Sequence, residues 1–68
     1  HLRALRLRLA KERSVPPYIL FSDKSLVDMA QRVPKDEFEM KQVYGVGDSK
    51  WQQYGQMFLD AISEFNRN

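Results

Sequence analysis

The sequence predicts an all-α fold, a compact bundle of short helices. Apolar residues return at three- and four-residue spacing in separate stretches, prolines or paired glycines punctuate them, and the one short continuous apolar run has no partner strand. Sixty-eight residues hold one domain, and a chain this short buries only about 60% of its unfolded surface.

Leu2, Leu5 and Leu9 share one stripe of a first helix ending near Arg13, with Arg3, Arg6 and Arg13 beside that stripe and Leu7 off it. Val15-Pro16-Pro17-Tyr18 stops this helix, because two prolines remove amide donors and push the preceding residue toward extended backbone. Ile19, Leu20 and Phe21 read as a turn or 3₁₀ segment whose side chains plug the core. Ser22 or Asp23 caps a second helix through about Val33, with Leu26, Met29, Ala30 and Val33 on one face and Pro34 as its end. Asp36, Glu37 and Glu39 crowd the first turn of a third helix, where carboxylates favour the positive end of the dipole, and Met40 and Val43 point inward.

Tyr44-Gly45-Val46-Gly47 is a tight loop, Asp48 the expected N-cap, and a final helix runs from about Ser49 to Phe65. Its Trp51, Tyr54, Phe58, Ile62 and Phe65 form an aromatic-rich stripe. Gly55 beside the stripe costs about 1 kcal/mol relative to alanine, which points to close packing by another helix.

Composition narrows the function. The absence of cysteine rules out disulfides and thiolate metal sites and fits a reducing compartment, while the 43% hydrophobic fraction is that of an ordinary globular domain. No apolar run approaches the roughly 20 residues that span a bilayer. The net charge of +2 is uneven: residues 1–14 carry five basic side chains against Glu12, and the rest carry six basic against eight acidic. Such polarity suits a polyanion, whose phosphates release counterions when neutralised, and equally suits a merely solvated helix face.

Catalysis finds no support. Gly45-Val46-Gly47-Asp48-Ser49-Lys50 lacks the Gly-Lys-Ser/Thr order and the preceding strand of a phosphate-binding loop. The lone histidine, His1, is terminal, so no serine has an imidazole to activate it. Caps and solvated faces account for the carboxylates, and nothing argues for a metal.

Two features suggest nucleic acid instead. A hydrophobic residue, a Gly-Val-Gly turn and a following helix reproduce the helix-hairpin-helix pattern, in which glycines let the backbone approach a phosphate and helix N-terminal amides point at it. Gly45, Gly47 and Lys50 are the candidates here; the plainer reading, a sharp interhelical turn with Val46 in the core, is compatible with it. Tyr18, braced by two prolines, is placed to stack a base of single-stranded nucleic acid, or else to pack inward with a wet hydroxyl. Tyr44 carries the same two readings, and Trp51 belongs to the core or its edge.

Three strings together resemble the HRDC (helicase and RNase D C-terminal) domain in its bacterial RecQ version. They are Leu2-Arg3-x-x-Arg6-x-x-Leu9-Ala10-x-Glu12, Val15-Pro16-Pro17-Tyr18-x-x-Phe21-Ser22-Asp23-x-Ser25-Leu26-x-x-Met29-Ala30, and Val43-x-Gly45-Val46-Gly47-x-x-Lys50-x-x-x-Tyr54-Gly55-x-x-Phe58-Leu59-x-x-Ile62. The resemblance implies a bundle of about five short helices with helix-hairpin-helix-like packing of the SAM kind, with residues 1–68 a single HRDC domain excised from an ATP-dependent 3′-to-5′ DNA helicase of recombination and repair. It implies ATP and Mg in a separate helicase core and none in this domain, single-stranded or partly duplex DNA as partner, no membrane, a monomeric fragment, and a bacterial cytoplasmic, nucleoid-associated setting. Tyr18 resembles the family's aromatic contact, and Arg6, Lys24, Arg32 and Lys50 are the expected basic patch, Lys24 because it lies close to Tyr18 in sequence. Trp51 departs from the family's usual leucine and Phe38 lies off the helix frame. With Leu7 they support an alternative, a protein-interaction module that docks on the helicase core or a repair partner. Membership through the ribonuclease side of the family would likewise leave catalysis elsewhere.

Overall fold

A computed structural model of the chain describes residues 2–65, and those residues form helices joined by short turns, with no strand among them. His1, the terminal histidine, lies outside the described residues.

Helix α1 (Leu2–Arg13) buries Leu9 and Ala10 and lays Leu2 and Leu5 along the core edge. Ser14 follows in left-handed backbone at φ 57°, and the Val15 amide donates to the Ala10 carbonyl at 3.0 Å, the six-to-one bond that closes a helix end. Pro16, at φ −63° and ψ 145°, then opens the one-turn helix α2 (Pro17–Leu20), with Pro17 in the first turn where a missing amide is harmless. The turn or 3₁₀ segment expected here is one turn of α-helix, and its side chains divide: Leu20 and Phe21 are buried, whereas Ile19, expected inside, is exposed. One helical turn cannot send three consecutive residues the same way.

Helix α3 (Asp23–Arg32) starts at the Ser22 cap, whose hydroxyl accepts from the Ser25 amide at 3.2 Å. Leu26 and Met29 face inward and Val33 packs against the core; Ala30 is exposed, outside the buried face assigned to it. Val33 ends the helix in left-handed backbone at φ 47°, an unusual state for a β-branched residue, its amide donating to the Met29 carbonyl at 3.0 Å. Helix α4 (Glu37–Met40) is capped by Asp36, which accepts from the Glu39 amide at 2.9 Å.

The last helix corrects two expectations. It begins one residue early as α5 (Asp48–Lys50) with Gly47, not Asp48, at the N-cap; Asp48 lies inside the first turn and pairs with Lys41 at 3.1 Å. It then widens into a π-helical turn (Trp51–Gly55) before α6 (Gln56–Phe65). Tyr54, Phe58 and Ile62 are buried as the stripe requires, Trp51 packs half-buried on the core, and Phe65 is exposed. Gly55 is buried under the Trp51 ring of its own helix, not under a neighbouring one: a Cβ would stand 2.0 Å from the indole Cε3. At the centre Phe21 meets Phe58 edge to face with ring centroids 4.8 Å apart, and meets Tyr54 at 6.1 Å.

Candidate nucleic-acid interface

Tyr18 is 68% exposed on α2. Burial of Leu20 and Phe21 anchors the segment from below, and the prolines fix its approach. From the other side, the Lys50 ammonium donates to the Ile19 carbonyl, 5.8 Å from the Tyr54 ring centroid and 6.0 Å from that of Phe21. Lys50 thus clasps the hairpin's following helix to the turn bearing Tyr18. Among the described residues this juxtaposition of α2 with α5 is the site's main structural device, and neither proline spacing nor charge made it legible.

The hairpin is held just as tightly. Val43 and Val46 are buried, and Gly45 turns at φ 79°. The buried Ser25 hydroxyl donates to the Tyr44 carbonyl at 2.6 Å, while the Tyr44 amide donates to Asp28 Oδ2 at 2.8 Å. That amide, seconded by Arg32 at 2.9 Å, holds the Asp28 carboxyl below its usual range despite partial desolvation. Lys41 bridges Glu37 at 2.8 Å and Asp48 at 3.1 Å, tying α4 to α5, and these bonds raise its ammonium above the ordinary lysine range.

The remaining candidates are dispersed. The Lys24 ammonium lies 4.4 Å from the ring centroid of Tyr44, so its aromatic neighbour in space is one that sequence proximity to Tyr18 did not indicate. Arg32 is exposed but spends its Nε on Asp28. Arg6 is mostly buried: its guanidinium donates to the Phe21 carbonyl at 3.0 Å and pairs with Asp23 at 2.8 Å, joining α1 to the start of α3. Gly47 is exposed, with open space where a Cβ would stand. Leu7 and Phe38 are exposed on α1 and α4, whereas Trp51 is turned onto the core and Gly55. Among the described residues no cluster of His, Cys, Asp or Glu is arranged to hold a metal ion, and no helix is long and apolar enough to cross a membrane.

The described residues thus make a small all-helical module, with a Gly-Val-Gly hairpin before the last helix and an outward tyrosine on a proline-braced turn. Residues 1–62 match the family described as HRDC domain, and the chain belongs to that family. It is 44% identical over 63 residues to the ATP-dependent DNA helicase RecQ of Haemophilus influenzae, covering 93% of this chain and 10% of that protein. It is 38% identical over 66 residues to the RecQ of Bacillus subtilis, covering 97% and 11% respectively. The chain therefore spans about a tenth of the length of the curated relatives it matches. Among solved structures, the third HRDC domain of Deinococcus radiodurans RecQ superposes with a TM-score of 0.89 at 34% identity, covering 94% of this chain and 84% of that one.

Proposed function

We propose that this domain is an accessory module of a RecQ-type, ATP-dependent DNA helicase working in recombination and repair in the bacterial cytoplasm, and that it grips single-stranded or partly duplex DNA. In this reading ATP and Mg act in a separate core of the parent protein. The observation that supports DNA contact is Tyr18: a large aromatic ring, 68% exposed, carried on backbone ordered in advance by Pro16 and Pro17. Bases stack on such a ring regardless of sequence. Gly45 and Gly47 shape the hairpin beside Lys50, whose ammonium holds the Ile19 carbonyl with one donor and would offer the others to the strand's phosphates, and Lys24 and Arg32 add charge on α3. Arg6 enters through stability, since its guanidinium is committed to Phe21 and Asp23.

Fluorescence anisotropy with a labelled oligonucleotide at two salt concentrations tests this. Tyr18→Ala is expected to weaken single-strand binding by roughly 1–3 kcal/mol, while Arg6→Gln lowers the melting temperature and leaves the salt slope of binding in place. Absence of binding at low salt would overturn the reading and favour docking on the helicase core.

A further inference from the structure

We infer that Tyr44, together with Lys24, is a second base-stacking platform for the DNA strand. The inference rests on the DNA-binding reading above and extends it to a ring that the family resemblance does not single out.

Tyr44 is 53% exposed although its neighbours Val43 and Val46 are both buried. Its backbone is fixed at both polar atoms: the amide by Asp28 at 2.8 Å and the carbonyl by Ser25 at 2.6 Å. Ser25 is 2% exposed, and its hydroxyl also lies 3.2 Å from that of Ser22, which caps α3. This much hydrogen bonding, partly buried, holds an aromatic ring outside the core. A turn alone needs no ring here.

Lys24, Asp28 and Arg32 follow at four-residue spacing on one face of α3, and Tyr44 reaches that face twice, through its amide to Asp28 and its ring to Lys24. Asp28 stays ionised, but Arg32 balances its charge at 2.9 Å and the Tyr44 amide occupies the same carboxylate oxygen, so the face does not present a bare carboxylate to phosphate. The Lys24 ammonium stands 4.4 Å from the ring centroid, so a base stacked on this half-exposed ring would bring its backbone charge toward a cation already in place. A platform ordered before binding costs little conformational entropy when the strand arrives.

The test is anisotropy of fluorescein-labelled oligothymidylate with the domain and its Tyr18→Ala, Tyr44→Leu, Tyr44→Phe and Lys24→Ala variants, each checked for an unchanged helical spectrum and melt. Tyr44→Leu is expected to weaken binding by about fivefold to 150-fold, Tyr44→Phe to stay near the parent, and Lys24→Ala to reduce the salt slope by about 0.7. If the parent and Tyr44→Leu bind alike while Tyr18→Ala weakens binding, the second platform is wrong and the DNA reading stands. If the parent itself does not bind, both fall. Should Tyr44→Leu fail to fold, Lys24→Ala decides: parental affinity and salt slope in that variant overturn the inference.

Discussion

Gly45 turns through φ 79° directly over the Ser25 hydroxyl, which lies 2.6 Å from where a Cβ at Gly45 would stand. The same hydroxyl donates to the Tyr44 carbonyl, so moving it aside would break that bond. Gly45→Ala should then cost about 2 kcal/mol or more, from left-handed strain plus the contact. Gly47 has ordinary backbone and open space, and Gly47→Ala should cost less than about 1 kcal/mol as a poorer N-cap. Urea denaturation of the two variants measures the difference. The folded Gly47→Ala domain then separates turning from phosphate contact, because a methyl group there obstructs only a close approach from outside.

The Trp51 indole over Gly55 sets the next expectation. Alanine at position 55 gains about 1 kcal/mol of helix propensity but must displace a ring 2.0 Å away. Overpacking of this kind costs about 1–3 kcal/mol, so Gly55→Ala is expected to be destabilising on balance. Combining it with Trp51→Leu removes the ring and should recover much of the loss, a coupling that thermal melts of the single and double variants would expose.

Asp28 gives the stability a pH dependence. Its folded pKa is depressed, chiefly by the Tyr44 amide and with help from Arg32. Its contribution is therefore present above the unfolded carboxylate pKa and is lost as pH falls through the lower, folded value. Asp28→Asn should flatten this part of the acid limb when stability is followed by denaturant unfolding from neutral pH into strong acid. An acid limb as steep as the parent's would show that other carboxylates carry it.

Much of the fold was legible because its signals are local. The Leu2, Leu5 and Leu9 stripe, the proline pair, the Ser22 cap, the acidic start of the third helix and the Gly45 turn each need only a few consecutive residues. What escaped depends on contacts between distant segments. The Lys50 ammonium meets the Ile19 carbonyl across 31 positions, and Ser25 meets Tyr44 across 19; no periodicity encodes such pairings. Lys24 was legible as a basic candidate but not as the partner of Tyr44, because helix α3 carries it toward the hairpin. Arg6, expected in the basic patch from its position and charge, is drawn inward by a carbonyl and a carboxylate that lie 15 and 17 positions away.

The π-helical turn between Trp51 and Gly55 alters how the chain counts. Bonds from i to i+5 loop one residue more than α-helical bonds, and each α-helical residue rotates the helix by about 100°. The segment therefore contains one residue beyond what an unbroken α-helix would need to present Phe58 and Ile62 to the core. Loss of one residue within the turn would leave the downstream faces in phase, whereas the same loss inside Gln56–Phe65 would rotate the residues after it off the core. Length variation in this helix is buffered at one place, beneath the tryptophan.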